Sequence, residues 1–96
     1  MSKITVVIPC YKVASHIEHV VKELPECVDE IILVDDCSPD DTGKVLEQMS
    51  QQDSRIAVVR NARNMGVGGA MVAGFQEALR RGCDIAIKLD GDGQMD

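Results

Sequence analysis

Ile31-Ile32-Leu33-Val34-Asp35-Asp36 is a continuous apolar run that stops abruptly at two carboxylates. Four branched aliphatic residues without polar alternation suit a strand covered on both faces, as in a parallel sheet. The next residues, Cys37-Ser38-Pro39-Asp40-Asp41, read as a helix start. Ser38 is expected as the N-cap, Pro39 suits the first turn, and Asp41 stands three residues on as in a capping box. Val45, Leu46 and Met49 then form the apolar stripe of that helix.

The same alternation extends in both directions. Upstream, Ile4-Thr5-Val6-Val7-Ile8 is a buried strand closed by Pro9. Val13, Ile17, Val20, Val21 and Leu24 recur at helical spacing after it, and Pro25 ends that helix. Downstream, Ile56-Ala57-Val58-Val59 is a third strand, and residues 61–69 are a glycine-bearing loop. A helix follows with Met71, Phe75, Ala78 and Leu79 on one face and Gly82 at the C′ position. Ile85 to Leu89 is a fourth strand. The order βαβαβαβ with short connections predicts an α/β fold, a doubly wound parallel sheet of about four strands in the order 3-2-1-4, with right-handed crossovers. No repeat, linker or low-complexity stretch divides residues 1–96.

Composition narrows the class. With ten Lys and Arg against sixteen Asp and Glu, the net charge of −6 disfavours a nucleic-acid partner bound through phosphates. No apolar run approaches the roughly 18 residues needed to span a bilayer, and the N-terminus reads as a first strand rather than a cleaved signal. Cys10, Cys27, Cys37 and Cys83 form no CxxC pair, and His16 and His19 lie apart from any zinc-ligand spacing. Reduced thiols in a cytoplasmic chain are the expectation.

In open α/β sheets ligands bind beyond the C-terminal ends of the strands. Those ends carry Pro9, Cys10 and Tyr11, then Asp35 and Asp36, then Arg60, Asn61, Arg63 and Asn64, and finally Asp90, Asp92 and Gln94. Four carboxylates at one rim repel each other unless something cationic sits among them. In an extended segment Asp90, Asp92 and Gln94 would point the same way at about 6.5–7 Å intervals. Oxygen ligands of that kind favour Mg²⁺ or Mn²⁺ over zinc. The competing account is an acidic, glycine-containing turn with solvated side chains. One of Asp35 and Asp36 is expected to serve the turn, and the other is available to accept a nucleobase N–H. Asn64-Met65-Gly66-Val67-Gly68-Gly69-Ala70 brings small residues to a helix N-terminus, which suits either an anion or close helix–sheet packing. It fits neither GxGxxG nor a Walker A motif.

Four ordered segments together resemble the N-terminal half of a family 2 glycosyltransferase of the GT-A fold. They are Val6 to Tyr11, Val34 to Thr42, Asn64 to Ala70, and Leu89 to Gln94. The Ser38-Pro39-Asp40 run and Gln94 look most like the polyprenyl-phosphate (dolichyl-phosphate) sugar transferase branch. The resemblance implies a Rossmann-like, nucleotide-sugar-binding part in which Pro9, Tyr11, Asn64 and Gly91 line the donor pocket and Asp36 reads the base. It places Asp90 and Asp92 at the ribose and metal–diphosphate, with Gln94 a further metal ligand. It also implies metal-dependent, inverting transfer to an acceptor such as a polyprenyl phosphate, at the cytoplasmic face of a membrane in a full-length parent. Two positions depart from the pattern. Lys12 replaces the usual Asn and is positioned to contact a phosphate, and Cys37 replaces the usual Gly in a turn that needs backbone freedom.

No catalytic base is assigned within residues 1–96, so these residues are expected to end before the acceptor-binding half and to bind donor without transferring sugar. A nucleotidyltransferase is the alternative, but it would carry a Gly-rich, basic loop directly after the first strand. A receiver-type signalling domain would place its acidic pair at the end of the first strand, not the second. Finally, the outer edge of Ile85–Leu89 lacks a neighbour in the 3-2-1-4 order, which predicts pairing with another copy.

Overall fold

The structure, a computed structural model, describes residues 2–90. Its elements are β1 (Ile4–Cys10), α1 (Ile17–Lys22), β2 (Glu30–Asp35), α2 (Thr42–Gln52), β3 (Ile56–Arg60), α3 (Gly66–Arg80) and β4 (Ile85–Lys88). The four strands form one parallel sheet in the order β3-β2-β1-β4, as the sequence predicts.

The unbroken apolar runs have the expected cause. Val6, Val7 and Ile8 of β1 and Ile31 to Val34 of β2 are closed to solvent because helices cover both faces. Strand alternation sends Val6, Ile8, Ile31 and Leu33 to one side, where Ile17, Val20 and Val21 of α1 and Leu46 and Met49 of α2 meet them. Val7, Ile32 and Val34 face the other way, onto Ala70, Met71 and Ala78 of α3. Each large aliphatic side chain so buried contributes about 1.5–3 kcal/mol.

β1 runs two residues past its expected stop and includes Pro9 and Cys10. The hydrogen-bond pattern explains the tolerance for proline. Val7 O accepts from Leu89 N on the β4 side, whereas Cys10 O accepts from Asp36 N on the β2 side. Pro9 shares the β4 side with Val7, and β1–β4 pairing ends at Val7 and Lys88. The missing N–H therefore removes no ladder bond among the described residues.

The helices also differ from expectation in detail. α1 covers six residues only; Val13 stands before the turn that leads into it, with its N bonded to Thr42 Oγ1 at 3.0 Å and its O accepting from His16 N and Ile17 N. Ser38 does not cap α2, which begins at Thr42. Asp35 Oδ1 accepts Ser38 N at 2.9 Å, closing a turn that delays the helix, and Asp40 Oδ1 takes Thr42 N at 3.1 Å. In α3 the inward face is Ala70, Met71, Gly74 and Ala78. Leu79, expected on that face, is exposed. At Gly74 a Cβ would collide with Val7 Cγ1 and lie 3.0 Å from Val34 Cγ2, so the missing side chain lets the helix settle on the sheet. Gly82, with φ +80°, ends α3 as predicted. Gly82 N bonds Leu79 O and Cys83 N bonds Ala78 O, the paired bonds of a Schellman motif.

Candidate functional site

Parallel register sets the site. Cys10 is level with Asp35, and Asp35 with Arg60, so β1, β2 and β3 end together. The residues that follow, Tyr11, Asp36 and Asn61, therefore share one rim, and Asp90 reaches it from β4.

Alternation separates the two adjacent carboxylates. Asp35 turns towards α2, where Oδ1 holds Ser38 N and Oδ2 lies 2.6 Å from where a Cβ on Gly43 would stand. Asp36 turns towards α3 and is 4% exposed. Its Oδ1 accepts from Asn61 Nδ2 at 2.9 Å and from Met65 N at 2.8 Å. Asp35 is thus the structural member of the pair and Asp36 the one facing the cleft. Arg60 also leaves the rim, since its guanidinium donates to Gly43 O at 2.9 Å and lies 3.4 Å from Glu47.

The first two loops are tied to each other. Lys12 N donates to Ser38 Oγ at 2.9 Å, and that hydroxyl donates to Asp40 Oδ1 at 2.6 Å. The bonds from Ser38 and Thr42 hold the Asp40 carboxyl below the usual carboxylate range. Both departures noted in the sequence sit at strained positions. Lys12 has φ +56° and Cys37 φ +57°, the only described non-glycine residues in the left-handed region. Strain of this kind gathers where surrounding bonds over-determine the backbone, commonly at ligand sites.

Between the first loop and the start of α3 lies a cleft of about 500 Å³ lined by Pro9, Cys10, Tyr11, Lys12, Val13, His16, Asp36, Val67, Ala70, Lys88 and Asp90. Its size suits a small-molecule ligand. Tyr11 is exposed, with Lys12 Nζ 5.5 Å from its ring centroid. Cys10 is buried, and burial, aided by the nearby Asp35 charge, pushes its thiol up to about 12, so it lines the cleft as a neutral group.

Of the residues singled out from sequence, Pro9, Tyr11, Asp36 and Asp90 converge on this cleft. Asn64 is exposed and is not among the lining residues; its Oδ1 accepts Gly66 N at 2.9 Å, so it shapes the entry to α3. Gly91, Asp92 and Gln94 lie outside the described residues, and Asp90 is the one member of the expected metal set that is described. It is half-buried on the cleft wall, a position consistent with an oxygen ligand to a hard cation. Sequence reasoning missed three roles. Asn61 holds Asp36, and His16 and Lys88 line the cleft. A lysine in an otherwise apolar strand, two residues before Asp90, was the available signal for Lys88. Asn61 gave none, because its partner is 25 residues away.

Known proteins resemble this chain in sequence and in fold. The family model described as "Glycosyl transferase family 2" matches residues 5–96. An undecaprenyl-phosphate mannosyltransferase of Micrococcus luteus is 32% identical over 93 residues, covering 95% of this chain and 38% of that protein. A UDP-N-acetylglucosamine–dolichyl-phosphate N-acetylglucosaminyltransferase of Methanococcus voltae is 33% identical over 104 residues, covering 95% of this chain and 41% of the relative. The chain thus spans about two fifths of the length of these relatives. Among solved structures, S. aureus TarS in complex with UDP superposes with a TM-score of 0.78 at 23% identity, over 94% of this chain and 27% of that one. A mannosyltransferase from Pyrobaculum calidifontis, in complex with GDP-Man and Mn²⁺, gives 0.73 at 22% identity, over 95% and 28%. At these identities the structures speak for the fold alone.

Proposed function

The chain belongs to glycosyl transferase family 2, and on that basis we propose that its cleft binds the nucleoside diphosphate of a sugar donor, the sugar passing to a polyprenyl phosphate at a membrane surface. The observation that carries this is the convergence of Pro9, Tyr11, Asp36 and Asp90 on one cleft at the strand ends. The polyprenyl and dolichyl phosphates in the names of the two relatives support the acceptor class.

The residues divide the work by chemistry. Pro9 and Tyr11 form the wall against which the base and ribose rest. Asp36 accepts an N–H of the base. Lys12 and Lys88 bring positive charge to a cleft that also holds two carboxylates, so a diphosphate entering it meets attraction as well as repulsion. Asp90, with Asp92 and Gln94, would hold Mg²⁺ or Mn²⁺, which neutralises charge on the departing diphosphate when bound. Transfer inverts the anomeric carbon. The bond to the nucleoside diphosphate breaks, its electron pair leaving with the phosphate oxygen, and an acceptor oxygen bonds from the opposite face. A phosphate acceptor is already anionic, so it needs little help from a general base. The 96-residue chain holds the donor side of this reaction and is expected to transfer no sugar by itself.

Calorimetric titration with UDP and GDP in the presence of Mn²⁺ tests the donor site. At least one is expected to bind, and Asp36→Ala to weaken that binding at least about tenfold, the loss of a hydrogen bond to a charged group. A folded chain that binds neither would refute it.

A further inference from the structure

Two backbone amides that follow β1 are held by side chains of the segment between β2 and α2. Lys12 N donates to Ser38 Oγ at 2.9 Å, and Val13 N to Thr42 Oγ1 at 3.0 Å. The Ser38 hydroxyl is itself aimed. Its hydrogen goes to Asp40 Oδ1 at 2.6 Å, while Asp35 Oδ1 takes Ser38 N at 2.9 Å. A hydroxyl whose one hydrogen is committed has only its lone pairs left to offer. Ser38 is therefore an acceptor fixed in place for Lys12 N–H.

That bond falls where the backbone is under strain. Lys12 has φ +56°, a left-handed conformation that a residue with a Cβ adopts only at a cost in free energy. In an extended continuation of β1, Tyr11 and Lys12 would point to opposite faces. The left-handed residue breaks the alternation, and both side chains line the cleft, with Lys12 Nζ 5.5 Å from the Tyr11 ring centroid. The ring attracts the ammonium, and Lys12 stays exposed to an entering ligand.

Resting on the donor site proposed above, we propose that Ser38 is a positioning residue for Lys12. By holding the Lys12 backbone left-handed it keeps the ammonium in the cleft, where that ammonium takes an oxygen of the donor's diphosphate. Ser38 is not among the lining residues of the cleft, so its effect on binding passes through the loop it holds.

A double-mutant cycle, read by calorimetric titration of the 96-residue chain with UDP and GDP at saturating Mn²⁺, tests this. Lys12→Met removes the charge and keeps the length of the side chain. It is expected to weaken whichever nucleotide binds by at least about threefold. Ser38→Ala, shown to be folded by circular dichroism, is expected to cost the same, and Ser38→Thr, which keeps the hydroxyl, to restore binding. In the Lys12→Met chain Ser38→Ala is expected to add no further loss, because the group it positions is already gone. A Lys12→Met chain that binds as tightly as the parent overturns the inference while leaving the donor site intact, whether or not Ser38→Ala folds. Losses that multiply in the double variant also overturn it, since Ser38 would then act by another route. Failure of the parent chain to bind either nucleotide overturns the donor site itself, and this inference with it.

Discussion

Asp35 and Asp36 are chemically identical neighbours that end on opposite faces of the sheet. Sequence alone could say that one would serve the turn; only the strand register says which. With Asp35 level with Cys10 and facing α2, Asp36 is left for the cleft. Asp35 also acts on Cys10, whose thiol burial, aided by that charge, raises from 9.0 to about 12. A raised thiol pKa is favourable to folding while the unfolded thiol is still protonated. Its share of stability is therefore lost as pH climbs from about 9 towards 12, where the unfolded chain ionises first. Thermal melts across that window should fall with pH, and Cys10→Ala should reduce the slope at a cost of about 1–2 kcal/mol at neutral pH. In the folded chain a thiol reagent should label the exposed Cys27 and Cys37 readily and Cys10 only after denaturation. Rapid labelling of Cys10 under native conditions would contradict the burial described.

At the scale of elements, α3 shows what a glycine-rich run can and cannot tell from sequence. The run at 66–69 was open to two explanations, an anion site or close packing. The tight contact with the sheet lies further on, at Gly74, against Val7 and Val34. Nothing lies within 4 Å of a Cβ built at Gly68. Gly74→Ala should therefore destabilise by about 1–3 kcal/mol through overpacking. Gly68→Ala should be neutral or stabilising by about 0.5–1 kcal/mol, as for an exposed helical glycine. Urea unfolding of the two variants checks the contrast, and equal effects would show that α3 does not seat at Gly74. The strands were legible because two-sided burial leaves an unbroken apolar run, and Gly82 because a C′ glycine has a fixed geometric use. The start of α2 was not, because Asp35 takes Ser38 N and the Ser38 hydroxyl is committed to Lys12 N and Asp40, bonds that residue spacing does not reveal. The exposure of Leu79 follows from helix rotation, which residue spacing left one position uncertain.

For the molecule as a whole, the 3-2-1-4 order brings four strand ends to one rim and leaves β4 at an edge. Among the described residues β4 pairs with β1 alone, and Ile85 and Ile87 are exposed beside an apolar groove that includes Ile4, Val6, Leu24 and Val28. A second copy can offer an identical edge and the same apolar pair. Concentration-dependent association through β4 is therefore expected, strengthened by salt because each copy carries −6. Light scattering that finds only monomer at high concentration and salt, with protected amides at Ile85 and Ile87, would contradict it. The sheet order, the rim and four of the cleft residues could be read from the chain. The hold of Asn61 on Asp36 and the place of His16 could not, since they arise from loops that meet only once the sheet has formed. The most direct measurement is amide chemical-shift mapping of the labelled chain as UDP is added with Mg²⁺. Saturable shifts are predicted at Tyr11, Lys12, Asp36, Asn61, Lys88 and Asp90, around the cleft. Shifts scattered over the surface, or centred on the α1–α2 side of the sheet, would contradict a nucleotide site at the strand ends.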